Sequence, residues 1–83
     1  MIVGYKIKLD GIEKVKKFIS IVDTFNNDID IVSGRYVINA KSVIAIFSLD
    51  LMSVLKVIIH DASLNDVAKF EKAMEEFRVN ERK

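Results

Sequence analysis

The side chains that could do chemistry in this chain are few. Its only histidine is His60, and it has no cysteine. One imidazole cannot build a histidine-rich metal site, and the lack of thiols excludes disulfides, cysteine-bound zinc, iron–sulfur clusters and thiol nucleophiles. No triad partner stands at a recognisable spacing from His60, and Asp23, Asp28 and Asp30 lack the glycine-containing spacing of a calcium loop. We therefore expect a solvated His60 at the end of a strand and no metal site.

Two other polar residues stand where helices are expected to begin. Ser42 precedes the apolar run VIAIF and can act as an N-cap, because its hydroxyl can accept a backbone N–H at the start of a helix. Asp10 and Glu13 have the three-residue spacing of a capping box before a longer helix. From the residues alone, both Ser42 and Glu13 are expected to stabilise helix starts.

The elements that position these residues follow from the hydrophobic periodicity. Alternation with period two predicts a strand over residues 2–9, a hairpin over 28–39 and a fourth strand over 53–60. Three-and-four spacing predicts a helix over 11–24, with an apolar stripe that begins at Ile12, a short helix after Ser42, and a last helix. Ser63 and Asp66 open the last helix, and its expected buried stripe is Leu64, Val67, Phe70, Met74 and Phe77. The order βαββαβα, with helices on one side of a mostly antiparallel sheet, predicts an α+β open-faced sandwich.

The short helix carries more apolar residues than one side of it can bury. Val43, Ile44, Ile46, Phe47 and Leu49 nearly encircle it, while two longer helices compete for the same small core. Ile46 and Leu49 are the better core candidates. Val43, Ile44 and Phe47 then share the outward side, with Ile44 the most exposed. These three residues are either an exposed apolar docking patch or part of the packing of a short helix.

The composition fits one small domain that spans residues 1–83. Lys+Arg 13 against Asp+Glu 12 gives a formal net charge of +1, so the bulk charge does not favour a nucleic-acid partner. The longest uninterrupted apolar run, residues 43–47, is too short to cross a bilayer, and the first residues lack the features of a signal peptide. We expect a cytoplasmic protein with no membrane contact and no cofactor.

The segment SGRYVINAKSVIAIFSLDL, in this element order and chain length, resembles the phosphocarrier HPr family of the bacterial phosphoenolpyruvate-dependent sugar phosphotransferase system. Its most specific stretch, NAKSVIAIFSL at 39–49, is similar to the family's regulatory-serine motif. The resemblance places Ser42 on the serine that a dedicated kinase phosphorylates in Gram-positive bacteria. It also implies a four-stranded antiparallel sheet covered on one face by three helices. In the family, the short helix and the start of the first helix contact Enzyme I, transporter subunits, the kinase and a transcriptional regulator.

The chain departs from this family at the phosphoryl acceptor. In true phosphocarriers the first strand leads into a Gly-Leu-His-x-Arg-Pro motif, whose histidine takes the phosphoryl group from Enzyme I. Aligning Gly11 and Ile12 with the Gly-Leu pair places Glu13 on the histidine, whereas an ungapped alignment back from Phe25 places Gly11 there. Neither alignment supplies an imidazole. Glu13 could form a short-lived acyl phosphate, or its charge could mimic a phosphorylated histidine.

Three hypotheses about function follow. The first is an HPr-like regulatory or adaptor protein, not an enzyme, that has lost phosphocarrier activity and acts through protein–protein contacts. It would be similar to the catabolite-repression HPr variants of bacilli, which also lack the active histidine. The second is a phosphoryl carrier that uses Glu13 or His60 as the acceptor. The third is a self-associating structural module, in which the apolar residues of the short helix form a homodimer contact.

Overall fold

The computed structural model describes residues 1–79, and within this range the elements follow the predicted order. The elements are β1 (Val3–Ile7), α1 (Ile12–Val22), β2 (Ile29–Ser33), β3 (Tyr36–Asn39), α2 (Val43–Phe47), β4 (Leu55–Ile59) and α3 (Leu64–Met74), which a 3-10 turn, Glu75–Phe77, extends. Four antiparallel strands with three helices confirm the predicted α+β open-faced sandwich. No helix in this range is long and apolar enough to span a bilayer.

The strands lie in the order β1-β4-β2-β3, and all neighbours are antiparallel. Ile7 pairs with Leu55 and Val3 pairs with Ile59, which defines two ends of the sheet. We refer to them as the Leu55 end and the Ile59 end. Because α1 follows β1 and β4 follows α2, the start of α1 and the residues just before β4 both lie at the Leu55 end. His60 directly follows β4 and lies at the Ile59 end.

The two faces of the sheet differ as the alternation predicts. Ile31 and Val57 are a cross-strand pair, and both are fully buried against the helices. On the other face Asp30 pairs with Ile58, and both are only partly buried. We call this second side the open face. Its polar and half-buried residues are available for interactions that the core does not use.

Aromatic side chains join α1 and the residues after it to α3 and its 3-10 extension. Phe18 of α1 contacts Phe77 edge to face, with ring centroids 5.8 Å apart, and Phe25 contacts Phe70 of α3 in the same way at 5.5 Å. All four are buried. These pairs tie the two helical segments together within the core, since edge-to-face contacts stabilise buried rings beyond the area that they bury.

Two residues that the periodicity placed in buried stripes are exposed instead. Leu64 has 76% of its surface exposed and Ile12 has 59%. Each is the first residue of its helix, where the chain is still turning towards the sheet. The predicted burial of Leu64 and Ile12 was therefore wrong, and the first buried residues of the two helices are Phe70 in α3 and Val15 in α1.

The capping box of α3 is confirmed and makes a prediction about acid stability. The Asp66 carboxylate accepts the Ser63 backbone N–H at 3.0 Å and the Asn27 side-chain amide at 3.3 Å, and these hydrogen bonds lower the pKa of Asp66. Because this pKa is lower in the folded chain than in the unfolded chain, the ionised carboxylate stabilises the fold at neutral pH. That contribution is lost as the pH falls through the folded-state pKa.

We expect Asp66→Asn to make stability depend less on pH on the acid side, measured as the denaturant midpoint from neutral to acidic pH. Asp23→Asn is the control, and an Asp66→Asn profile parallel to that of the wild type would contradict the expectation.

Candidate functional site

The start of α2 is fixed by hydrogen bonds to Asn39 at the end of β3 and to Phe25, which follows α1. The Asn39 side-chain oxygen accepts the Lys41 backbone N–H at 2.8 Å, and the Asn39 carbonyl accepts the Ser42 backbone N–H at 3.0 Å. The Lys41 ammonium donates to the Phe25 carbonyl at 2.7 Å, just after α1. The short helix therefore has a defined position although it contains only five residues.

Ser42 is the N-cap of α2, as predicted. Its hydroxyl oxygen accepts the Ala45 backbone N–H at 3.3 Å, and the residue has extended backbone dihedrals. Ser42 is partly exposed and does not belong to the buried core.

Three apolar residues cover the outward side of α2, and we call them the α2 patch: Val43, Ile44 and Phe47. Ile44 has 85% of its surface exposed, and Val43 and Phe47 are each nearly half exposed. Ile46 on the opposite side is fully buried. The exposure of all three patch residues, with Ile44 the most exposed, is the arrangement that the helical spacing favoured.

Other exposed apolar residues lie at the Leu55 end of the sheet. Met52 and Val54 precede β4 and are exposed, and Ile12 is exposed in the first turn of α1. The loop that carries Met52 is ordered by local bonds, since Asp50 accepts the Met52 N–H at 3.1 Å and the Ser53 hydroxyl at 2.8 Å. No charged side chain occurs from Ser42 through Leu49. The outward side of α2 itself is therefore apolar and uncharged, which is typical of the centre of a protein interface.

The start of α1 does not have the predicted capping box. Gly11 is the N-cap, with φ 152°, a backbone conformation that favours glycine, and no side chain caps this helix. Asp10 forms an ion pair with Lys14 at 3.3 Å, and this hydrogen bond and charge lower the pKa of Asp10. Glu13 is the second residue of the helix and not the third, and it is exposed. The predicted pairing of Asp10 with Glu13 was wrong, because the helix begins one residue later than the capping box requires.

The position of Glu13 makes a prediction about stability. We expect Glu13→Ala to change the free energy of unfolding by less than about 0.5 kcal/mol, because an exposed carboxylate that caps nothing contributes little beyond a weak dipole interaction. Ser63→Ala is the matched comparison, since the Ser63 hydroxyl caps α3 and its loss costs about 1 kcal/mol. Urea unfolding of the two variants measures the difference. An equal loss of stability in both would mean that Glu13 does cap α1.

His60 has a partner that sequence spacing did not reveal. Its Nε2 lies 2.8 Å from the Asp30 carboxylate, and both side chains are about one-third exposed. The contact joins the residue that follows β4 to β2 on the open face. In the neutral imidazole this contact places the proton on Nε2 and leaves the lone pair on Nδ1. Two hydrogen bonds also hold the His60 backbone. Its N–H donates to the Asp28 carbonyl, and its carbonyl accepts the Asn27 side-chain amide. The expected position at a strand end is confirmed, and the contact with Asp30 is one that no spacing in the sequence indicates.

The surroundings of His60 are acidic. A shallow depression on the open face is lined by His60 together with Asp28, Asp30, Asp61 and Asn39. Within residues 1–79 no group of three or more histidines and carboxylates has a metal-binding arrangement. His60 lies at the Ile59 end, separated from Gly11 and Glu13 by the five residues of β4, or about 16 Å of strand. The structure therefore does not bring these candidate residues together in one site.

Comparisons with known proteins found solved structures of the same fold. No family model matches this chain, and a search of the curated proteins found no match. The chain is similar to the phosphocarrier protein HPr from Bacillus anthracis str. Ames, with a TM-score of 0.72 and 18% identity over 93% of this chain and 98% of that one. It is also similar to HPr-C-His from Thermoanaerobacter tengcongensis, with a TM-score of 0.71 and 18% identity over 93% and 90% of the two chains. The chain therefore has the fold of the HPr phosphocarrier proteins.

Proposed function

We propose that this chain is an HPr-like regulatory or adaptor protein, related to the phosphoenolpyruvate-dependent sugar phosphotransferase system, that acts through protein–protein contacts. The observation that carries the proposal is the α2 patch, which exposes Val43, Ile44 and Phe47 on a helix whose position is fixed. The resemblance of residues 39–49 to the regulatory-serine motif supports the same surface. Exposed Ile12 at the start of α1 is a second element of the surface that the family uses.

The proposal excludes phosphohistidine carriage from the start of α1. A phosphohistidine needs a neutral imidazole nucleophile held near helix N–H groups, and a guanidinium that can chelate the phosphate. Residues 10–17 contain neither histidine nor arginine. Lysines at 14, 16 and 17 are point charges on an exposed face and cannot replace the planar guanidinium. In this proposal the protein is a cytoplasmic binding protein with no catalytic activity and no cofactor.

Ser42 is proposed as the regulatory position of this surface. A phosphate on Ser42 adds about −1.5 to −2 charge directly beside the uncharged α2 patch. We expect Ser42→Asp to change the affinity of the patch for a phosphotransferase-type protein partner several-fold, measured by calorimetric titration. Ser42→Asn is the matched control, because asparagine is an equally good N-cap but adds no charge. If both variants bind like the wild type, charge at position 42 does not regulate binding.

The alternative function is a phosphoryl carrier with His60 as the acceptor. The contact from Asp30 to Nε2 favours it, since it leaves Nδ1 free to attack a phosphorus atom. The acidic side chains of Asp28, Asp30 and Asp61 oppose it, because they repel an anionic phosphoryl donor. Glu13 as the acceptor forms no ion pair with a cation among residues 1–79. Phosphoenolpyruvate-dependent labelling separates the carrier from the adaptor.

A further inference from the structure

The two edges of the sheet are not equivalent. The outer edge of β1 is covered by residues 77–79, through the Lys8 N–H to the Phe77 carbonyl at 2.9 Å and the Val79 N–H to the Lys6 carbonyl at 3.0 Å. The outer edge of β3 has no strand beside it within residues 1–79. Its sequence, YVIN, has no charge, proline or bulge, which are the features that usually keep an edge strand from pairing.

The hydrogen-bond pattern of β2 and β3 identifies the backbone groups on this edge. A two-residue turn, Gly34 and Arg35, connects Ser33 to Tyr36, and the Ala40 N–H donates to the Ile29 carbonyl at 2.8 Å. Antiparallel pairs alternate between hydrogen-bonded and non-hydrogen-bonded positions. Ser33 with Tyr36 and Ile29 with Ala40 are bonded pairs, so Val37 stands at a non-bonded position.

The N–H and the carbonyl of Val37 therefore both point away from β2, towards the free edge. The backbone groups of Asn39, two residues further along β3, also point towards the free edge, but the Asn39 carbonyl already accepts the Ser42 N–H. Val37 is thus the residue of β3 that offers both a donor and an acceptor to an incoming strand. Its side chain is 63% exposed.

We propose that the β3 edge pairs with the β3 edge of a second copy of this chain, antiparallel, about a two-fold axis at Val37. In this register the two Val37 residues exchange both backbone hydrogen bonds. Val37 pairs with Val32 on the open face, so four valines from the two copies lie in one row across the interface. On the other face exposed Tyr36 lies opposite Ile38 of the second copy.

The charges in this register are complementary. Arg35 lies level with Asn39 of the second copy, and Asn39 pairs with Asp30 on the next strand. Arg35 is exposed and forms no ion pair within residues 1–79. Two strand spacings, about 10 Å, separate it from Asp30 of the second copy. An extended arginine can span most of the distance to Asp30, whose Oδ2 also contacts His60, and the two-fold axis creates the attraction twice. No cation of one copy is directly opposite a cation on β3 of the other.

The strand is short, so the dimer is expected to be weak and dependent on concentration.

The test uses the lack of cysteine in the chain. A hydrogen-bonded pair across a two-fold axis places the Cα atoms about 5.5 Å apart, within the range of disulfides. With oxidised glutathione as the oxidant, two Val37→Cys thiolates form one disulfide, and the glutathione is reduced to two thiols. We expect Val37→Cys to cross-link several-fold faster than Leu64→Cys and Ile44→Cys, which are more exposed but outside the interface. Equal rates for the three variants would overturn the proposal.

Sedimentation equilibrium provides the second arm of the test. The wild type should have an apparent mass above 9.4 kDa that rises from micromolar to millimolar concentration, whereas Val37→Lys should stay monomeric. Ile44→Asp should dimerise like the wild type, because Ile44 belongs to α2 and is not among the residues that this register pairs. A wild type that is monomeric throughout, or a dimer that Ile44→Asp abolishes and Val37→Lys does not, would contradict the β3 contact. Thermal unfolding of Val37→Lys checks that it remains folded.

Discussion

Ile44→Asp should leave the chain folded and abolish binding to its protein partner. Ile44 is 85% exposed, so a charged side chain there stays in water, and we expect the free energy of unfolding to change by less than about 0.5 kcal/mol. In a complex the same carboxylate would be buried in an apolar contact without a counter-charge, which is costly. Thermal unfolding and calorimetric titration measure the two effects separately.

Ile46 is the matched control on the same helix. It is fully buried, so Ile46→Ala should cost about 2–5 kcal/mol, and Ile46→Asp should prevent folding. The two isoleucines are two residues apart and differ in burial, not in chemistry. If Ile44→Asp unfolded the chain as Ile46→Asp does, Ile44 would be a core residue. If it folded and still bound with wild-type affinity, the α2 patch would not be the docking surface.

We also expect no histidine-linked phosphate when the chain is incubated with phosphoenolpyruvate and Enzyme I. The start of α1 has no imidazole, and the only one in the chain, His60, lies at the opposite end of the sheet among carboxylates. An HPr phosphocarrier treated in parallel should become fully labelled. Intact-mass spectrometry at neutral pH detects the added phosphoryl group before acid hydrolysis removes it.

His60→Ala and Glu13→Gln identify the acceptor if label does appear. Acid-labile phosphate that disappears in His60→Ala would establish His60 as a phosphoryl acceptor. Label lost in Glu13→Gln would indicate an acyl phosphate at the start of α1. Either result would replace the adaptor function with a carrier function, whereas an unchanged mass would support the adaptor.

The sequence predicted the fold and the exposure of α2 because both depend on local periodicity. The serine caps at Ser42 and Ser63 were also predictable, since each hydroxyl bonds a backbone group three residues away. The cap of α1 was not, because Asp10 has two competing partners in the sequence. It pairs with Lys14 and leaves Gly11 to begin the helix.

The contact between His60 and Asp30 could not be predicted for a different reason. The residues are thirty positions apart, and their contact depends on β4 lying beside β2. Two strands of the same length and pattern can be neighbours in several sheet orders, and nothing in either strand selects one. The unpaired backbone groups of Val37 could not be predicted for the same reason, since they are identified only once the register of β3 with β2 is known.

The most direct test of the adaptor function is an NMR titration of isotope-labelled chain with Enzyme I, a transporter subunit and the HPr kinase in turn. Phosphoenolpyruvate is present throughout, and phosphorus spectra are recorded in parallel. The adaptor function predicts that at least one partner shifts the amide signals of residues 42–47, and that no phosphorus signal from a phosphohistidine appears. Amide shifts centred on His60 together with a phosphohistidine signal, or no shift in α2 with any partner, would contradict it.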